Sequence, residues 1–565
     1  MTELLAPVLP LFLGAILSGF TRGWLRAVVM ISAPVLGGLG VYQLEPGTLV
    51  QAEMFGLALT PVRVDSLSIL FGYLFHLAAF IGVIYALHVR DRMQDVAALA
   101  YAGSAVGAVF AGDLLTLFIY WELMALTSVV LILARRTEQA FGASMRYLVM
   151  QVGSGVLLLA GTILYASNGG GLSFDHIGLE APGGWLIFLA FGIKSAFPFL
   201  HNWLTDAYPE ATPSGTVFLS AFTTKVAVYA LARGYAGTEI LVYIGALMAC
   251  FPIFYAVIEN DLRRVLAYSM INQVGFMVVG VGIGTELALN GAVAHAFNDV
   301  IFKGLLMMSM GAVLHVTGEM RGSELGGLYK KMPKTAVLCM VGAASISAFP
   351  LFSGFVSKSM IMSAAVMEGH NWVWLALLFA SAGVFHHAGI KIPFFAFFAH
   401  DSRFVTEARE APTNMLIAMT IAALLCVGIG TFPLFLYDLL PYDTGYWPYD
   451  MSHVLAQMQL LAFSALAFTW LKLAHIYPPE LKSVNLDAEW LYRRVVPDAI
   501  QKFMTQLAPV KDQVSKHTLA ALGMAQRGLA RHHGEHGLLA RTWPTGSMVL
   551  WVAVLLGLSL VLYYF

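Results

Sequence analysis

Sixteen apolar runs of about 17 to 30 residues recur along this 565-residue chain. A run of that length is what an α-helix needs to cross the hydrocarbon core of a bilayer. They fall near 4–20, 24–43, 66–88, 96–112, 114–133, 144–167, 183–203 and 213–235, and then near 238–259, 265–285, 288–317, 333–363, 372–398, 413–436, 453–475 and 546–564. Charged residues make up 12% of the chain and apolar ones 59%, against about 25% charged in a soluble domain. So few charges cannot cover a water-facing surface around so much hydrocarbon. The expected fold class is therefore an all-α polytopic membrane protein of about 16 transmembrane helices.

Several function classes drop out at once. The net charge of −1 says nothing about partners, since what matters is how charge is distributed between loops, and no basic face for nucleic acid is present. Cys250, Cys339 and Cys426 lie singly in apolar runs, with no CxxC pair or disulfide framework, and read as packing. No Walker A loop, GxGxxG fingerprint or haem motif is present, so no ATP or redox cofactor site is expected. The first run follows MTELLAP, which lacks the basic segment of a signal peptide, and is expected to be retained as a span.

Charge in the loops sets an expected orientation. With the N-terminus outside, the inner loops up to residue 411 hold Arg22, Arg26, Arg90, Arg92, Arg135, Arg136, Arg146, Arg263, Arg264, Arg321, Lys330, Lys331, Lys334, Arg403 and Arg409. The outer loops hold only Arg63 and Arg233, a strong positive-inside bias. The 437–452 loop, with YDLLPYDTGYWPYD, reads as outer and interfacial. Residues 476–545 form a polar inner stretch. Within it Ile500, Phe503, Leu507, Val510, Val514, Leu519, Leu522 and Met524 recur at helical spacing from about Asp498 to Arg531. That spacing predicts an amphipathic helix of about 30 residues and about 45 Å, lying laterally on the inner side before the last span.

The segment SAFP occurs at Ser195–Pro198 and again at Ser347–Pro350, each after a Gln-Val-Gly (Gln151–Gly153 and Gln273–Gly275). The second lies five helices after the first, and an odd number of helices per repeat inverts the topology, as in transporters with a site near the midplane. The expected organisation is N-terminal helices (1–95), a first repeat (96–236), a second inverted repeat (237–400), C-terminal helices (401–475), the inner-side helix (476–545) and a final span (546–565).

Ionisable residues inside spans are costly and carry function by default. Here they are Glu122, Lys194, Lys225, Lys303 with His295 and Asp299 upstream, Lys358 and Lys391. Pro198 and Pro350 break the helices that carry Lys194 and Lys358, and freed carbonyls there can meet a lysine or water. His295, Asp299 and Lys303 share one helix face, and Asp299 one turn before Lys303 is the favourable order for an ion pair. Desolvation lowers a lysine pKa and a nearby carboxylate raises it, so such a set can pass protons without metal or cofactor. His201, Asp206 and Glu210 follow the first break and are candidates for proton entry, His201 as a further relay member. His386 and His387 are candidate polar lining, and His76 reads as hydrogen-bonded packing. His532–His536 matches H-x-x-E-H, but with a glycine inside it and in a polar linker it is not read as a zinc site.

WELMAL with Glu122, KSAFPFLHNWLTDAYPEATPSG, TKVAVYAL, HAFNDVIFKGLL and FPLFSGFVSK, in that order over roughly 60–400, resemble the antiporter-like subunits shared by respiratory complex I and the Mrp-type multisubunit sodium/proton antiporters, the D-type member of the latter above all. The resemblance implies inverted five-helix repeats with broken helices. It also implies a proton relay through Glu122, Lys194, Lys225, His295, Lys303 and Lys358, with Asp299, Lys391 and His201 as possible members. Asp299 departs from the pattern, standing where many members have histidine, and the long helix with a further span resembles the distal complex I subunit. The implied function is a non-enzymatic, proton-translocating subunit of a monovalent cation (sodium)/proton antiporter. Alternatives are a pumping subunit of a complex I-like oxidoreductase or membrane hydrogenase, or a module energising inorganic carbon uptake. Its partners would be other membrane subunits, protons, sodium and the lipid bilayer of a bacterial inner membrane.

Overall fold

The computed structural model describes residues 7–54, 56–478, 480–481, 485–537, 540 and 544–564. Residues 4–6 of the first expected span and the side chain of Val510 on the amphipathic face lie outside that set. The chain divides into two units, residues 1–485 and 486–565.

In the first unit the helices are α1 (Leu9–Phe20), α2 (Gly23–Tyr42), α3 (Ser66–Ala86), α4 (Arg92–Phe110), α5 (Leu114–Leu133), α6 (Glu138–Tyr165), α7 (Gly184–Lys194), α8 (Asn202–Ala207), α9 (Pro213–Ala221) and α10 (Thr223–Gly234). They continue as α11 (Glu239–Ile258), α12 (Leu262–Ile283), α13 (Glu286–Thr317), α14 (Pro333–Ile346), α15 (Ser353–Met367), α16 (Asn371–Val384), α17 (Thr413–Thr431), α18 (Leu434–Tyr437) and α19 (Met451–Leu473). Their starts follow from local chemistry. Asp65, Asp91, Asp113, Thr137, Asp261 and Asp450 each accept a backbone N–H at the N-terminus of α3, α4, α5, α6, α12 and α19. Gly284 and Gly318, both left-handed, close α12 and α13.

Every expected apolar run holds a helix, and among the described residues thirteen helices are long and apolar enough to cross a membrane. The chain is thus a multi-pass membrane protein. α12 and α13 form its centre, buried almost throughout. α9, α10, α11 and α15 pack around them, with α17 against α13 and α3.

Three features go beyond the sequence reading. Between α2 and α3, outside the expected spans, β1 (Leu49–Met54) and β2 (Leu57–Arg63) pair antiparallel, Val50 opposite Val62. The expected span 213–235 is broken at Phe222, between α9 and α10, without proline or glycine. The span beginning at 372 leaves α-helical geometry, with π-helical turns at Phe385–Lys391 and Phe394–Phe398.

The SAFP segments do interrupt their helices, and in the same way. Ala196 and Phe199 take φ of 64° and 66°, and Ala348 and Leu351 take 57° and 72°. Left-handed backbone costs a side-chain-bearing residue about 1–2 kcal/mol, so both breaks hold the same two strained positions. Ser195 Oγ and Ser347 Oγ each donate at 2.6 Å to the carbonyl four residues earlier, Phe191 and Ala343. Gly354 lies so close to the Ser345 carbonyl that a Cβ would collide with it, so the second break requires glycine there.

In the second unit, α20 (Val496–His533) is longer than expected at 38 residues, and α21 (Thr545–Tyr564) is an apolar helix long enough to span. α20 ends at His533, so the H-x-x-E-H residues do not share one helix.

Candidate functional site

Lys194, Lys225, His295, Asp299, Lys303 and Lys391 are fully buried, and Lys358 is 2% exposed. A buried charge needs partners, and the partners sort these residues into distinct settings.

Lys194 ends α7. Its Nζ donates to the Trp121 carbonyl of α5 at 2.5 Å and lies 4.4 Å from the centre of the Trp121 ring. Glu122 is the next residue, half-buried, yet no ion pair joins it to Lys194 among the described residues, and its Oε1 is buried without a hydrogen bond. The carboxylate turns toward α6, where a Cβ on Gly155 would collide with it.

Lys225 opens α10 just past the Phe222 break. It donates to the Ser220 carbonyl on the other side of that break at 3.1 Å. Its Nζ lies 2.6 Å from Asp299 Oδ2 on α13. Asp299 thus pairs with a lysine of a neighbouring helix, although Lys303 one turn away stands in the favourable order. Lys303 instead donates to Ser269 Oγ of α12 at 2.7 Å.

His295, one turn before Asp299, contacts Ser357 Oγ of α15 through Nδ1 at 2.9 Å and Gln273 Oε1 of α12 through Nε2 at 3.2 Å. Gln273 in turn donates to Asn272 Oδ1 at 2.6 Å. Lys358, beside Ser357, donates to the Ile346 carbonyl at 2.8 Å, the last carbonyl of α14 before the break. The rings of Phe276 and His295 are 5.9 Å apart, and Lys358 Nζ lies 5.0 Å from the Phe276 ring centre. α13 therefore presents His295, Asp299 and Lys303 toward α15, α10 and α12 respectively.

Lys391 closes the first π-helical turn and faces inward. Its Nζ donates to the carbonyls of Ala256, Val257 and Glu259 at 3.2, 2.7 and 2.6 Å, and lies 3.0 Å from Glu480 Oε1. Those carbonyls end α11, where a cation is favoured by the helix dipole. Burial pushes the Glu480 carboxyl up, against the pull of Lys391. His387, two residues into that π-helical turn, is fully buried with no hydrogen bond to either ring nitrogen among the described residues.

His201 sits in the first break, 2% exposed, its ring 4.8 Å from that of Phe251. Asp206 and Glu210 are engaged by arginines, Arg146 at 2.7 Å and Arg135 at 3.4 Å. His76 is packed, with Nδ1 2.7 Å from the Gly72 carbonyl. Ser269, Asn272 and Ser357 escape a reading of charge alone, and Glu480 escapes one confined to the spans. For Asn272, the sequence signal is the adjacent Asn272–Gln273 pair inside an apolar run.

Residues 111–385 match the profile of the family described as NADH:quinone oxidoreductase/Mrp antiporter, TM. Hydrogenase-4 component B of Escherichia coli (strain K12) is 27% identical over 482 residues, covering 75% of this chain and 72% of that protein. The D component of the Na(+)/H(+) antiporter of Alkalihalophilus pseudofirmus is 29% identical over 355 residues, covering 59% of this chain and 72% of that protein. Among solved structures, a chain of the membrane-bound sulfane sulfur reductase, an archaeal respiratory membrane complex, superposes with a TM-score of 0.71 at 21% identity, covering 99% of each chain.

Proposed function

We propose that this chain, whose residues 111–385 match the profile of the NADH:quinone oxidoreductase/Mrp antiporter family, is the proton-translocating subunit of a multisubunit sodium/proton antiporter in a bacterial inner membrane, with its N-terminus outside. The observation that carries this is the buried Lys225–Asp299 pair, flanked on one face of α13 by His295 and Lys303. Two breaks of identical backbone, on either side of it in sequence, support the reading of two inverted repeats around a central relay.

Protons enter at Lys194, biased by Glu122. They pass to Lys225, whose Nζ lies 2.6 Å from Asp299 Oδ2. They then move along α13 through Lys303 and His295, and reach Lys358 beside the second break. Each group can release a proton when its partner shifts, because burial and a nearby carboxylate pull a lysine in opposite directions. Lys391 stands apart from this route as a cap on α11.

The test uses everted vesicles containing the assembled complex, with a dye reporting collapse of a pH gradient when sodium is added. Lys194→Ala or Glu122→Ala abolishes the sodium-dependent collapse while the complex persists. Undiminished exchange in either variant removes the relay. A second reading, a proton-pumping subunit of a hydrogenase-like or complex I-like oxidoreductase, is favoured by the similarity to hydrogenase-4 component B, which runs over more of the chain than that to the antiporter's D component. Co-purifying redox subunits, with proton movement driven by electron donors and not by sodium, select that reading.

A further inference from the structure

A cavity of about 720 Å³ opens between α15, α16, the start of α19 and the loop before it. Its wall includes Lys358, Ser359, Ser363, Tyr446, Asp450 and His453. Holding one water takes only about 10–15 Å³ of such space, so the cavity admits a chain of waters.

The polar side chains on its wall are connected. Ser359 and Ser363 lie one turn apart on α15 and share a face. Ser363 Oγ is 3.1 Å from His453 Nε2 and 3.2 Å from the Tyr446 hydroxyl. His453 Nδ1 is 2.8 Å from Asp450 Oδ2, and the two side chains are 33% and 49% exposed. Asp450 caps α19, and its hydrogen bonds from Ser452 and the His453 N–H hold its carboxyl below the usual range. One turn beyond His453, Gln457 donates at 3.0 Å to the Ser347 carbonyl in the second helix break. α19 is thereby fastened to the break that also holds Lys358. The charged and titratable groups around the imidazole are Asp450 on its own helix end, Tyr446 from the loop, and Lys358 across the cavity.

We infer that Ser363, His453 and Asp450 form the outlet through which Lys358 exchanges protons with water on the side of the 438–450 loop. The inference rests on the relay proposed above. A proton leaves the Lys358 ammonium for cavity water and reaches the Ser363 hydroxyl. The hydroxyl hands its own proton to His453 Nε2, and Nδ1 releases one to Asp450 and bulk water. One proton enters and one leaves. An imidazole suits the step because its two nitrogens accept and donate separately near neutral pH.

The experiment compares His453→Ala, Ser363→Ala and Lys225→Ala in vesicles containing the assembled complex. His453→Ala is expected to slow exchange by about tenfold or more, and millimolar imidazole added on the loop side, but not on the other, restores much of the rate. Ser363→Ala slows it several-fold. If His453→Ala exchanges like the unaltered protein while Lys225→Ala is inactive, the outlet is wrong and the relay stands. If both exchange normally, the relay itself falls. Loss in His453→Ala without rescue from either side overturns the outlet in favour of a structural role. Should His453→Ala fail to assemble, Ser359→Cys decides: a membrane-impermeant thiol reagent must modify it from the loop side alone and block exchange, and absence of labelling rejects the outlet.

Discussion

The Asp299 carboxylate lies 2.6 Å from the Lys225 ammonium across the contact of α10 with α13, although Lys303 stands one turn away on Asp299's own helix. Removing one partner of a buried pair strands the other, at about 3–5 kcal/mol. Asp299→Ala should therefore lower the thermal midpoint of the complex and its exchange rate together. Lys225→Met with Asp299→Leu should recover most of the stability and none of the exchange. In double-mutant cycles Asp299 should couple strongly to Lys225, and to Lys303 by no more than about 0.5 kcal/mol. A stronger coupling to Lys303 would mean that the observed pair does not persist in the membrane.

Gly155 gives the Glu122 carboxylate its place on α6. Gly155→Ala forces the carboxylate to move, and exchange should fall by about tenfold, or about 1.4 kcal/mol. Because the clash is with Glu122, adding Gly155→Ala to the inactive Glu122→Ala should cost no further assembled complex. A double variant that assembles far less than Glu122→Ala would show that the glycine acts by another route.

Ala196 and Ala348 hold left-handed backbone at the two breaks. Ala196→Gly and Ala348→Gly should each stabilise the protein by about 1 kcal/mol, since glycine adopts this region without the steric cost, less its greater freedom in the unfolded chain. Thermal midpoints measured on the purified complex check this, and a fall in both variants would count against the strained geometry.

Lys391 makes three bonds to the end of α11 and pairs with Glu480. Lys391→Met should reduce the amount of assembled complex, at a cost of about 3 kcal/mol for the unmet carboxylate and carbonyls. Exchange per assembled complex should stay within about twofold, within the scatter expected of a site outside the relay. Glu480→Gln, which keeps the carbonyl bonds, should be milder. A relay role for Lys391 would instead show as lost exchange at normal assembly.

Helix placement was legible because the length and polarity of a run are properties of consecutive residues. The SAFP breaks were legible too, since proline removes a backbone donor wherever it stands. The kink at Phe222 carries no such mark: Phe222–Thr223–Thr224 reads as a continuous span. The hairpin of β1 and β2 was missed because its strands are short and their alternation is irregular, with a register shift between Val50 and Ala52.

The sequence by itself determined which ionisable residues are buried at the centre of this protein. Charge in a bilayer is expensive enough that each one stands out against its apolar neighbours, whatever the packing. Only the tertiary structure decided how they are joined. A one-turn ion pair along a helix is worth about 0.2–0.5 kcal/mol, too little to bind Asp299 to Lys303 against a buried ammonium presented by α10. That choice depends on the rotation and approach of α10, α12 and α13, which place Lys225 against Asp299 and Ser269 against Lys303.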